Sequence, residues 1–219
     1  MKPYLMRLTR DRHEAGRVSA QSLPGLNRVL YVLDGEVVVV HAQGRTELHQ
    51  DSAWHSAEAS TVQPASGGAT VLRYELLTGG SAGGDATMSR PLSEHPMDLD
   101  PRVEYLMRCD RVDFEPGGMA LPHGHAGGGI RCLIAGMLEL TIGDRPAGLM
   151  QPGDAWFESG REPVLAVASK DAPTSFIRCS ILPRSIRGKS SIWYADPKDA
   201  ERSKPRKYTV YVDEPIDLP

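Results

Sequence analysis

The strongest constraint on this chain is that it repeats itself. The run RVLYVLDGEVVVV at residues 28–40 has a counterpart in GIRCLIAGMLELT at 129–141. Each is a β-rich stretch, a glycine and a second β-rich stretch. Farther along, LHQDSAW at 48–54 matches MQPGDAW at 150–156, and LRYELL at 72–77 matches IRCSIL at 177–182. The two glycines lie 101 residues apart and the two tryptophans 102. Loops tolerate such small changes of spacing, whereas packed elements do not. One structural unit has been duplicated, and a fold must explain both copies at once.

That unit is predicted to be all β. The chain has 22 glycines and 17 prolines in 219 residues, an excess that calls for many turns and so for short strands. The Asp34-Gly35 and Ala135-Gly136 steps read as hairpin bends. Domain boundaries are expected at 1–85 for the first unit, 86–104 for an irregular linker, 105–183 for the second unit and 184–219 for a tail. Residues 78–89 are Gly/Ser-rich, as a break between copies would be. The tail holds one good strand at 207–213, which needs a sheet to join. Helix is confined to a turn or two at 196–202, with Pro197 at the first position.

Several functions are disfavoured at this stage. Lys and Arg number 25 against 28 Asp and Glu, so no electrostatic case for nucleic acid exists. The basic run 184–207 is diluted by Asp196, Asp199 and Glu201. No stretch reaches the roughly 18 apolar residues of a membrane span. Arg7, Arg10, Asp11, Arg12 and Glu14 stand where a secretory leader would be apolar. With Cys109, Cys132 and Cys179, an odd number without CxxC spacing, the expectation is a cytoplasmic protein with reduced thiols. No dinucleotide or phosphate-binding loop is present, so no nucleotide cofactor is expected. The letters Gly79-Gly-Ser81-Ala-Gly83 match a hydrolase elbow but sit in a linker instead of before a helix.

The chemistry concentrates in the second copy. His123 and His125 are two residues apart, so on a strand they share one face and can act as paired metal ligands. If the pleat continues, Arg131 faces the same side and offers a fixed cation to a carboxylate; alternatively it pairs with an acid such as Glu139. Asp154, in a Pro-Gly-Asp step, is expected to close a turn. Trp156 and Trp54 occupy matching places and serve either the core or a bound ligand. In the first copy, Ser22 and Pro24 stand where the histidines would be, and His41, His49 and His55 fall elsewhere.

The HxH pair within a Gly-rich entry, the glycine eleven residues on and the Pro152-Gly153-Asp154 step together resemble the cupin superfamily. The match is better over about 114–183 and weaker over 18–77, which makes the chain similar to a bicupin. The resemblance implies two tandem jelly-roll β-barrels with little helix and a small-molecule ligand. It also implies a homodimer and a divalent metal: Fe, Mn, Ni or Zn. Family ligands are two His, a Glu four residues after the second, and a further His. His123 and His125 match the first two. Gly129 stands at the Glu position and no histidine follows His125. Glu158 is the residue that could complete a metal set with His123 and His125, or act as a base. Arg131 and Trp156 are the expected substrate contacts. The ligand is expected to be a small organic anion. Two readings stay open: a metal-dependent enzyme of dioxygenase, isomerase or lyase type, and a non-catalytic binding or sensing protein without metal.

Overall fold

Alternating apolar residues and frequent glycines make strands along nearly the whole chain. The computed structural model describes residues 4–16, 20–79, 89–202 and 206–219. Most of the Gly/Ser-rich stretch, including the elbow-like letters, lies outside the described residues. The fold is all-β, and among the described residues 3₁₀ turns occur only at Arg184–Ile186 and Pro197–Glu201. Among the described residues no helix is long and apolar enough to cross a membrane. The chain divides into two compact units, Met1–Arg102 with Ile216–Pro219, and Val103–Pro215.

The first unit contains β1 (Tyr4–His13), β2 (Gln21–Leu23), β3 (Arg28–His41), β4 (Gly44–His49), β5 (Ser52–Ser56), β6 (Ser60–Thr78) and β7 (Ser89–Met97). They form one sheet in the order β4-β3-β6-β1-β7, with β2 added on β6 and β5 on β3. Strands β3 and β6 are long and shared. The first half of β3 pairs with β5 and the second half with β4. The side chains of Leu30, Val32, Val37, Val39, Val62 and Val71 alternate inward to make the core, with Trp54 packed against it. Residues 89–97, where the sequence suggested an irregular linker, are instead a strand on the edge of this sheet, paired with β1.

The second unit contains β8 (Tyr105–Phe114), β9 (Met119–His125), β10 (Gly129–Ala135), β11 (Leu138–Ile142), β12 (Arg145–Met150), β13 (Ala155–Glu158), β14 (Val164–Ala168), β15 (Thr174–Pro183), β16 (Ile192–Tyr194) and β17 (Arg206–Ile216). Two five-stranded sheets result, β13-β10-β15-β8-β17 and β12-β11-β14-β9-β16. The duplication is visible in the pairing. Arg131 of β10 lies opposite Trp156, as Leu30 of β3 lies opposite Trp54. Strands β10 and β11 together correspond to β3, and β14 and β15 to β6. The tail strand does join a sheet, on the β8 edge.

The hairpins expected at the two glycines are not hairpins. Strands β10 and β11 lie in different sheets, and β3 runs on through Gly35 with its register shifted. Both glycines turn a corner. Gly35 has φ +76° and Gly136 φ +72°, and a Cβ there would meet Gly68 O at 2.2 Å or Thr174 Oγ1 at 2.3 Å. A β-rich run, a glycine and a second such run fit a hairpin and a corner equally well, and only the choice of partner strands separates them.

Candidate functional site

The interior of the second unit has an apolar end and a polar end. Val112, Phe114, Leu133, Leu138, Leu140 and Phe176 fill the first. At the other end a cavity of about 20 Å³ is lined by His123, His125, Arg131, Glu158, Arg178, Arg206 and Tyr208, with Trp156 and apolar neighbours closing it. That is room for a water or two. The polar residues come from both sheets and from the tail.

All five residues singled out in the sequence meet here, and each is buried: His123 8% exposed, His125 5%, Arg131 1%, Trp156 6% and Glu158 6%. Arg131 does not continue the strand of the histidines, as the pleat argument assumed. It belongs to β10, on the facing sheet. Its partner is Glu158 and not Glu139, with Nη2 2.8 Å from Oε2. The other Glu158 oxygen, Oε1, accepts from Trp156 Nε1 at 2.9 Å. Trp156 thus packs in the core and also orients the carboxylate. Asp154 closes its turn as expected, accepting from Gln151 N at 2.8 Å.

The two imidazole rings stand edge-to-face, with centroids 5.1 Å apart. His123 Nδ1 lies 2.8 Å from the Leu121 carbonyl. A carbonyl only accepts, so the proton is on Nδ1 and Nε2 keeps its lone pair. His125 Nδ1 lies 3.2 Å from Ser191 Oγ, and Arg178 Nη1 lies 3.2 Å from His125 Nε2. A guanidinium only donates, so that nitrogen accepts. Burial is the main force holding both histidines below the usual imidazole range. For His125 the neighbouring guanidiniums of Arg178 and Arg131 push the same way; for His123 the Glu158 charge opposes the shift.

Sequence reasoning missed Arg178, Asp110, Arg206 and Tyr208. Arg178 is held by Asp110 through two bonds, Nε to Oδ1 at 2.9 Å and Nη2 to Oδ2 at 2.6 Å. A signal for it existed: Arg178 is the repeat counterpart of Arg73. Arg73 is likewise held by an aspartate, with Nε donating to Asp11 Oδ2 at 2.6 Å, and it also contacts Glu75. Glu75 in turn takes Arg28 Nε at 2.8 Å. That cluster in the first unit is buried, and each carboxylate in it faces a guanidinium. No local pattern marked Arg206 and Tyr208, because they reach the cavity only when the tail strand joins the sheet. Arg206 donates to the hydroxyls of Tyr208 and Tyr194. Its Nη1 is buried without a hydrogen-bond partner among the described residues.

The ligand set expected from the sequence therefore comes together in space, but not as a metal centre. Among the described residues no group of three or more His, Cys, Asp or Glu is arranged to hold an ion. Glu158 has both oxygens engaged, His125 Nε2 faces a guanidinium, and three arginines line the cavity. A divalent cation would meet like charge and occupied donors. The donor set does not fit one in this arrangement. The missing family Glu has a steric cause as well. A Cβ on Gly129 would meet the Cys179 carbonyl at 2.2 Å and Ser180 Cα at 2.7 Å, so only glycine fits there.

Comparison with known proteins agrees at the level of fold. No family model and no curated protein matches the chain. Among solved structures, an oxalate decarboxylase from Bacillus subtilis superposes with a TM-score of 0.65 at 12% identity, covering 92% of this chain and 78% of that one. An oxalate decarboxylase from Lactobacillus farciminis, in complex with formate, gives 0.59 at 11%, covering 93% and 82%. A salicylate 1,2-dioxygenase from Pseudaminobacter salicylatoxidans gives 0.56 at 10%, covering 94% and 74%. These are proteins of the cupin superfamily. At such identities the likeness is one of fold, and the fold of this chain is the cupin-type jelly roll.

Proposed function

We propose that the second unit binds a small organic anion without a metal ion, its carboxylate group alone entering the cavity in place of the water or two for which there is room. One observation carries this reading. Arg206 Nη1 is buried beside the cavity with no hydrogen-bond partner among the described residues. A buried donor without an acceptor costs roughly 1–3 kcal/mol, and a carboxylate would remove that cost. Arg131 and Arg178 are already neutralised by Glu158 and Asp110, which leaves Arg206 as the cation to be matched. The clamp thus moves from Arg131, its place in the sequence reading, to the tail. Glu158 orients Arg131, Trp156 orients Glu158, and the neutral His123 offers its Nε2 lone pair to a hydroxyl or water hydrogen beside the bound carboxylate. The solved neighbours named for oxalate and salicylate chemistry act on small carboxylates, which agrees with this class of ligand.

The same reading includes a homodimer, by analogy with the family, and a cytoplasmic location, supported by the odd cysteine count. A metal-dependent enzyme built on His123, His125 and Glu158 is the competing reading, and it requires Arg131 to release Glu158.

The test is calorimetric titration with acetate, oxalate and neutral acetamide, with and without a chelator. Carboxylate binding that persists in chelator, spares acetamide and is lost in Arg206→Gln is the expected result. Binding that needs added Mn(II) or Zn(II), or that Arg206→Gln leaves intact, overturns it.

A further inference from the structure

The second unit also has a larger cleft. About 370 Å³ lies in a cleft, open to solvent, between β8, β15 and β17 on one side and the chain at 188–192 on the other. Arg178 and Tyr208 line both this chamber and the small cavity. A volume of that size suits a small organic molecule.

The chamber is held open by fixed contacts. Arg108 is bidentate to Asp213, with Nε to Oδ1 at 2.8 Å and Nη2 to Oδ2 at 3.0 Å. Its remaining donors reach the carbonyls of Lys189 at 2.8 Å and Ile186 at 3.1 Å. Asp213 Oδ2 also accepts from Gly188 N at 2.7 Å. Burial would raise the Asp213 carboxyl, but these donors outweigh it and hold it below the usual carboxylate range. At the far end of the wall, Ala126 N donates to Ser191 O at 2.8 Å and Trp193 Nε1 to Gly160 O at 3.0 Å. The wall is thus pinned at both ends, so a ligand would meet a site already ordered.

The lining specifies the ligand. Arg108 with Asp213, and Arg178 with Asp110, cancel in pairs. Lys189 is left as the exposed cation at the rim, its Nζ 3.3 Å from the Ser185 carbonyl. Ile192, Tyr208 and Val210 supply apolar surface, and Val210 is 55% exposed. Ser190 and Ser191 add hydroxyls. We infer that this chamber is a second ligand site, distinct from the small cavity, for an amphipathic organic monoanion: an apolar body against Ile192, Tyr208 and Val210, and an acid group at Lys189.

A direct probe is 8-anilinonaphthalene-1-sulfonate, an amphipathic monoanion whose fluorescence rises in apolar surroundings. The full chain should bind one equivalent. Val210→Asp, at an exposed position on an edge strand, should weaken binding at least tenfold, and Lys189→Gln severalfold. His123→Ala, which alters a wall of the small cavity alone, should leave it unchanged, and this separates the two sites. The neutral N-phenyl-1-naphthylamine should be insensitive to Lys189→Gln. Thermal melts of each variant establish folding. No binding, several equivalents, or equal binding by Val210→Asp would overturn the inference, as would loss in His123→Ala.

Discussion

Arg131 and Glu158 form a buried ion pair, 2.8 Å from Nη2 to Oε2, at the place where the sequence suggested a metal ligand and a free substrate clamp. Each therefore has its charge matched inside the protein. A guanidinium on one strand and a carboxylate on the next hold the polar end of the barrel together.

The first prediction concerns that pair. Glu158→Gln leaves Arg131 buried and unmatched, and breaking a buried pair from one side costs about 3–5 kcal/mol. Urea unfolding should show a loss of that order. The double change Arg131→Leu with Glu158→Leu should recover a large part of it, since no lone charge remains. A single variant as stable as the parent would mean the pair is solvated in solution.

Gly129 gives a second test. The Cys179 carbonyl and Ser180 Cα leave no space for a side chain, and both are backbone or near it, so neither yields cheaply. Gly129→Ala should destabilise by more than about 2 kcal/mol, in the range of overpacked cores. Gly129→Glu, the family residue, should fail to fold. A thermal melt compares both with Gly44→Ala, where φ is +135° but nothing lies within 4 Å.

Metal addition is the third. With both Glu158 oxygens engaged and three guanidiniums nearby, Mn(II) or Zn(II) at tens of micromolar should leave the melting temperature unchanged. Binding to the native state alone raises stability with concentration, so a dose-dependent rise abolished by His123→Ala would restore the metal reading.

The fourth uses His13 of the first unit. Its ring is buried, 5% exposed, with neither nitrogen hydrogen-bonded among the described residues. Burial lowers its affinity for a proton, opposed by the Asp11 charge. The unfolded chain, with an ordinary imidazole near 6.5, then binds a proton that the folded chain refuses. Stability is fully present above that value and is lost as pH falls through and below it. His95, His123 and His125 are shifted the same way and add to the slope. Melting temperatures from pH 7.5 to 5.5 should fall, and less steeply in His13→Leu.

How much of this could be read beforehand differs from residue to residue. The repeat placed Trp54 and Trp156 in equivalent registers before any strand pairing was known. His123, His125, Arg131, Trp156 and Glu158 were all picked from the second copy, and all five line one cavity. Their relations were not legible. Arg131 and the histidines approach from facing sheets, so no pleat along one strand could give their spacing. Glu158 looked free because the sequence between them says nothing of how β10 registers against β13.

By itself, the sequence determined the β period, the duplication and the types of residue available to the polar end, because these follow from side-chain alternation, glycine placement and composition. Tertiary structure alone decided which strands meet at Gly35 and Gly136, that Glu158 neutralises Arg131, and that Arg206 and Tyr208 arrive from the tail. The physical reason is that charge matching depends on distance between neighbouring strands. Residues far apart in the chain are brought within 3 Å by hydrogen-bond registers, and local sequence carries no information about that separation.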